Sequence, residues 1–352
     1  MISLVRRGSL VGLLLFTVAL GCAKGKTASA ASSEAAPGAS ATPAPSPARL
    51  EPAGAAMHID PTRAWLYLKE ILAFGPRWDG SKGQKRLGEY LHAKLKANGA
   101  QMEEDAFVAD TPAGKISMRN IVAKFPGSKD GIIVLGSHID TNYPLRKTNF
   151  AGANDGASST ALLLAIADQL RGKKLEGYSV WLAFFDGEES IPSATPGDLR
   201  WSDPDSLYGS RHLAQRWEQD GTNKKIKALL LADMIGDKDL EIFRDTNSTP
   251  WLEDMVGEAA RRLGYQSYFF GEGGGGIGDD HVPFARFGVP VADIIDLDYG
   301  YNNAFHHTTE DTIDKLSPRS LQITGDVILE TMRLINARGG QAAASAQKLQ
   351  QQ

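Results

Sequence analysis

Residues 178–189 read YSVWLAFFDGEE, an apolar stretch that runs straight into acid. Val180, Trp181, Leu182, Ala183, Phe184 and Phe185 form an unbroken hydrophobic run, the pattern of a central strand covered on both faces. Glu188 and Glu189 follow just past Asp186 and Gly187. Adjacent glutamates at the mouth of a hydrophobic strand repel each other and lose hydration unless something positive sits between them. A metal ion is the usual answer. A solvated acidic turn is the ordinary reading of an isolated Glu-Glu pair. Here three further strand-like segments also end in residues that bind metals, and the set outweighs the single pair.

Those segments are 131–135, 226–232 and 289–297, which lead to His138, Asp233 and His307. Asp155, in the turn-like run Gly152-Ala153-Asn154-Asp155-Gly156, completes a group of two histidines, two aspartates and one glutamate. A nitrogen and oxygen donor set without sulfur suits zinc in a catalytic site, where one coordination position stays open for water or substrate. One glutamate of the pair would bind the metal, and the other would move protons as general base or acid.

The elements that must position these residues alternate. Helices are expected from Pro61, over 81–98, 158–170 and 205–217, from Pro250 to about Leu263, over 279–287 and from Pro318 to about Ala337. Strands are expected over 103–108, 116–125, 131–135, 178–185, 226–232 and 289–297. Asp60-Pro61 and Ser317-Pro318 are helix starts, and Asn98-Gly99 is a stop. The glycine-rich run 271–278 reads as a loop at a pocket rim, and the segment 190–204 as a long loop. Such alternation predicts an α/β three-layer sandwich with a mostly parallel central mixed sheet. In open sheets of this kind the ligand site lies beyond the carboxyl ends of the strands, which is where the candidate ligands fall.

The chain has 352 residues, a formal net charge of −4 and no basic stripe, which excludes a nucleic-acid-binding reading. Its one cysteine, Cys22, allows no internal disulfide. Residues 1–22 read as a signal segment of lipoprotein type. Arg6 and Arg7 are followed by an apolar run over 10–20, then Gly21 and Cys22. Residues 23–57, rich in Ala, Pro and Ser, form an expected disordered tether. A single catalytic domain over 58–337 and a flexible tail over 338–352 follow. The protein is expected to be exported, as a periplasmic or cell-envelope lipoprotein, to touch membrane only through that anchor or signal, and to act as a monomer.

Over roughly 59–337 the sequence resembles the zinc aminopeptidase superfamily and, within it, the glutaminyl cyclases. GSHIDT at 136–141, GANDGAS at 152–158, DGEE at 186–189, DMIG at 233–236 and HTTEDT at 307–312 are superfamily motifs. RWSDPDSLYGSRHLA at 200–214 and DDHVPF at 279–284 are more specific to the cyclases, and FVADTPAG at 107–114 is cyclase-like. The resemblance implies that Asp155, Glu189 and His307 bind zinc and that Glu188 transfers the proton, with Asp233 and Asp279 bonded around it. It implies a substrate pocket of Trp201, Phe305 and His306. His138 and Asp233 match the further ligands of two-zinc peptidases, whereas cyclases generally hold one zinc. His306 stands where animal cyclases have tryptophan, and their cysteine pair is absent. The implied activity is conversion of N-terminal glutamine of peptides and proteins to pyroglutamate. The alternatives are a di-zinc aminopeptidase and, behind it, a metal-free binding ectodomain of the same fold. His58, His92 and His212 read as surface or structural, and His281 as support for Asp279.

Overall fold

A computed structural model describes the backbone of residues 55–350 and the side chains of residues 55–340. The signal segment at 1–22 and nearly all of the 23–57 tether lie outside the described residues. Two helices open the fold, α1 (Pro61–Leu72) and α2 (Lys82–Ala97). Asp60 caps α1, its Oδ1 accepting from the amides of Thr62 and Arg63 at 2.9 and 3.2 Å, and Ser81 caps α2 through the Gln84 amide at 3.0 Å.

Next come β1 (Gln101–Thr111), β2 (Gly114–Phe125), β3 (Gly127–His138), α3 (Ala157–Leu170) and β4 (Leu175–Phe185). After them run α4 (Tyr208–Gln219), β5 (Ile226–Asp233), β6 (Ile242–Asp245), α5 (Pro250–Leu263) and β7 (Phe269–Gly275). The chain finishes with α6 (His281–Ala285), β8 (Val291–Ile295) and α7 (Pro318–Gln350). The main sheet has the order β1-β2-β4-β3-β5-β8. β1, β2 and β4 pair antiparallel, while β4, β3, β5 and β8 pair parallel.

Strand alternation sends Ile133, Leu135, Leu182, Phe184 and Leu230 into one core with α1, α2, α3, α5 and α7. Val134, Ala183, Phe185, Leu229 and Leu231 pack on the other face against Leu213 and Trp217 of α4 and Phe284 of α6. The result is the expected sandwich of a mostly parallel mixed sheet between two helical layers. Because β3, β4 and β5 run parallel, their carboxyl ends share one edge. That edge carries His138, the Asp186–Glu189 turn and Asp233.

Three local expectations are corrected. The glycine run is not all loop. Its first part is β7, which pairs parallel with β6. Glycine is required there by close approach: a Cβ on Gly274, at φ +118°, would collide with the Arg244 carbonyl oxygen. The expected helix at 205–217 begins at Tyr208, because Asp203–Asp205 forms a separate 3₁₀ turn and Leu207 sits at φ 54° between them. Finally, α7 does not stop near Ala337. It continues to Gln350, across Gly339-Gly340 and into a stretch dominated by the good helix formers Ala, Gln, Lys and Leu, so the tail is helical backbone that far.

Candidate active site

Asp155 ends the loop before α3, Glu189 ends the turn after β4, and His307 lies in the loop after β8. His307 Nε2 stands 3.3 Å from Asp155 Oδ2 and 3.2 Å from Glu189 Oε2. Tetrahedral ligands at about 2.0 Å from a zinc ion lie about 3.3 Å apart, so both distances from His307 are those of ligands sharing one ion, and Asp155 also groups with His306 and His307 closely enough to hold one. Asp155 Oδ2 and Glu189 Oε1 are buried and make no hydrogen bond, which leaves acceptor capacity for a cation. Backbone strain accompanies the placement, since His307 sits at φ 51° and Met234, just after Asp233, at φ 49°.

On the other side of Asp155 lies His138. Its Nε2 is 3.1 Å from both Asp155 Oδ1 and Asp233 Oδ1. Its Nδ1 faces Asp140 at 3.6 Å and Glu188 at 3.9 Å. Burial alone would lower the His138 pKa, but Asp233, Asp140 and Asp155 outweigh it and raise it well above the usual value. His138, Asp155 and Asp233 thus form a second potential ion group.

Glu188, next to Glu189 in the chain, turns its carboxylate toward His138 Nδ1. Burial, together with Asp279, Glu189 and Asp280, raises its pKa well above the usual carboxylate range, against the opposing pull of His138. Asp279 is likewise pushed up by burial, Asp233 and Asp280. Such crowding raises the proton affinity of the group, so that it can accept a proton and hold it for a later transfer.

Glu188, Asp233, Asp279, His306 and His307 line a cavity of about 300 Å³ together with Trp201, Ile277 and Leu297. Trp201 is 45% exposed, at the surface end of this lining. Burial and the neighbouring His307 hold the His306 imidazole down at about 4, so it presents a neutral ring. Phe305 does not join the lining. It packs edge-on against the buried Tyr299, centroids 5.4 Å apart, and under the Lys315 ammonium. It therefore supports the His306-His307 loop from behind, and its expected place in the pocket wall is corrected. A larger cavity of about 450 Å³ lies against Met118, Arg119 and Asp186 but holds none of the candidate ligands.

Residues 120–332 match the family model "Peptidase family M28". The chain belongs to that family, in its glutaminyl-peptide cyclotransferase branch. It is 31% identical over 287 residues to the glutaminyl-peptide cyclotransferase-like protein of Bos taurus, with 74% of this chain and 72% of the relative covered. The crystal structure of an Acidobacteriales bacterium glutaminyl cyclase is 50% identical, with a TM-score of 0.76 over 83% of this chain and 100% of that one. A Zn-dependent exopeptidase from Parabacteroides distasonis is 29% identical, with a TM-score of 0.71 over 79% and 99% of the two chains.

Within this M28 frame several residues that organise the site were given no task by the sequence, although Asp140, Asp280 and Asp311 fall inside the quoted motifs. Asp140 accepts from the amides of Glu188 and Glu189 at 3.2 and 3.0 Å, fixing the turn that carries both. Asn142 donates to Glu189 Oε2 at 2.8 Å and orients it. Asp311 accepts from the amides of Asn154 and Asp155 at 2.8 and 3.2 Å and from the Tyr299 hydroxyl at 2.8 Å. Arg77, fully buried, donates to the carbonyls of Ile139, Ala151 and Gly152 and so ties the His138 loop to the Asp155 loop. Asp280, buried beside Asp279, is pushed up to about 7 mainly by burial. For Asp140 and Asp280 the available signal was position, two residues from His138 and next to Asp279; Asn142, Asp311 and Arg77 had none of that kind. His281 is buried between Asp245 and Asp293. His212 stacks on Phe107 with centroids 4.3 Å apart and bonds Asp105 at 2.9 Å.

Proposed function

We propose that this protein cyclises N-terminal glutamine of peptides and proteins to pyroglutamate with release of ammonia, using one zinc ion held by Asp155, Glu189 and His307. The observation that carries this reading is Glu188. It is buried and acid-crowded, it faces the cavity, and it leaves the ligand position to its neighbour Glu189. Bound zinc would polarise the γ-amide carbonyl of the substrate as a Lewis acid.

The chain's own residues supply the rest. Glu188 takes a proton from the α-amine as its nitrogen bonds to the γ-carbonyl carbon. It returns that proton to the departing amide nitrogen, so that ammonia leaves and the five-membered lactam remains. Asp279, itself raised by Asp233, keeps the proton affinity of Glu188 high, which favours the return step. Trp201 and Ile277 flank the glutamine side chain, and the neutral His306 ring forms the adjacent wall. No attacking water is needed, so the cavity works best dry.

One observation favours a second reading, a di-zinc aminopeptidase. His138 Nε2 is equidistant from Asp155 and Asp233, the arrangement a second ion would use. The two readings separate in one assay. An N-terminal glutaminyl peptide and leucine amide are offered side by side, and ammonia, free amino acid and pyroglutamate are all measured. Pyroglutamate from the first and no free leucine from the second is the expected result. Leucine release without pyroglutamate overturns it.

We further infer export with a lipid anchor at Cys22, from the basic, apolar, Gly-Cys start and the tether behind it. Among the described residues no helix is long and apolar enough to cross a membrane. A Cys22→Ser variant should leave the membrane fraction, and unchanged fractionation rejects the anchor.

A further inference from the structure

The cavity wall at Ile277 and the acid Asp279 both belong to weakly self-supporting structure. They lie between β7, one strand of a two-stranded ribbon, and α6, a helix of five residues. Two-stranded ribbons and single helical turns are marginal on their own. Something outside them must hold both at the site.

Asp245, at the end of β6, is 1% exposed and makes the needed contacts. Its Oδ1 accepts from the Ile277 amide at 2.8 Å and from the Asn247 amide at 3.0 Å. Its Oδ2 accepts from the Ser248 hydroxyl at 2.8 Å and faces His281 Nε2 at 3.0 Å. His281 opens α6, just past Asp279 and Asp280, and its Nδ1 faces Asp293 Oδ2 at 3.5 Å. Ser248 Oγ in turn accepts from the Asp293 amide at 2.9 Å. Asp293 lies in β8, the edge strand of the main sheet beside β5. One carboxylate therefore joins the small ribbon, the pocket wall, α6 and the central sheet. From behind, the Asp245 amide donates to Glu253 Oε1 at 2.8 Å. Burial alone would raise the Asp245 pKa, but His281 and the amides of Ile277 and Asn247 outweigh it and leave it below the usual range.

We propose that Asp245 is a positioning residue for the reaction: through the Ile277 amide it sets the pocket wall, and through His281 it sets the approach of Asp279 to Glu188. The proposal rests on the cyclase reading for the identity of the substrate, and on geometry alone for the linkage. It gives the two oxygens separable tasks. Oδ1 governs substrate fit, and Oδ2 governs the acid that serves Glu188.

Three variants test it. Asp245→Asn retains an acceptor for Ile277 and loses the carboxylate at His281. It should keep KM within about threefold and lower kcat about tenfold, because small misplacement of an acid group is costly in rate. His281→Asn should behave the same way. Asp245→Ala loses both linkages and should raise KM about tenfold as well as lower kcat. Zinc content and a cooperative thermal transition are recorded for each, and both should stay near wild type in the two Asn variants. Wild-type kcat in Asp245→Asn and His281→Asn overturns the proposal. So does an equal effect of Asn and Ala on KM, or a loss of zinc parallel to the loss of rate. Wild type is assayed first on the glutaminyl peptide and on leucine amide. If it turns over only the amide, the cyclase reading fails, and the same KM and kcat pattern is sought on that substrate.

Discussion

The His138 imidazole lies against the bare Cα of Gly156: a Cβ built there would stand 2.5 Å from Nε2 and 2.7 Å from the adjoining ring carbon. Gly156 has an ordinary helical φ of −59°, so the glycine is required by the approach of the ring and not by the backbone. Alanine at 156 should push His138 off both Asp155 and Asp233. With zinc on Asp155, Glu189 and His307, the Gly156→Ala protein should keep one zinc per chain and most of its glutamine turnover. Metal analysis showing a fall from two ions to one would reassign His138 as a working ligand.

The neighbouring glutamates should fail differently. Glu188→Gln preserves shape and removes the proton acceptor, so kcat should fall by roughly a hundred- to ten-thousand-fold while zinc content holds. Glu189→Gln replaces an anionic ligand by a neutral amide and should lose zinc and activity together. Metal content and single-turnover rate, measured on both proteins, check the contrast. Zinc lost from the first and kept by the second would exchange the two roles.

Glu188 and Asp279 should titrate as a unit, since each is raised by burial and by neighbouring carboxylates. The reaction needs Glu188 unprotonated at the outset, so kcat/KM rises with pH through the apparent pKa. Asp279→Asn removes a like charge that favours the protonated form. The acidic limb of the residual kcat/KM profile should therefore move to lower pH. A limb that stays in place, or moves up, would show that Asp279 does not act on Glu188 electrostatically.

Much of this arrangement was legible in the sequence because strand, turn and ligand are continuous there. The apolar run ending in DGEE, and the strands ending at His138 and Asp233, place their acids at one sheet edge as soon as the strands are parallel. The helix starts at Asp60 and Ser81 were equally local. What the sequence concealed is long-range. The Asp245 hub depends on β6, a strand of four residues with no periodic signal, and on glycines that read as a loop but serve close backbone packing. Asp311 and Arg77 act on backbone groups of distant loops, which no spacing encodes.

Trp201 and Phe305 were expected to share the pocket wall, and the structure separates them. Trp201 lines the cavity and is 45% exposed, so it can cover part of a bound peptide without supporting the fold. Truncating an aromatic that packs on ligand costs binding and leaves the core intact. Trp201→Ala should therefore raise KM by about tenfold, with kcat changed less and thermal stability within a degree or two of wild type. Phe305 packs on Tyr299, whose hydroxyl bonds Asp311, which in turn holds the Asn154 and Asp155 amides. Phe305→Ala should open space behind that chain and destabilise the protein by about 2–4 kcal/mol, less than a fully buried phenylalanine would cost at most. Zinc affinity should fall with it, because Asp155 and His307 lose their support, while KM for the glutaminyl peptide stays near wild type in the zinc-loaded enzyme. Denaturation, zinc titration and steady-state kinetics on the two variants separate the roles. A KM effect confined to Phe305→Ala, or a stability loss confined to Trp201→Ala, would put Phe305 back in the pocket and Trp201 in the scaffold.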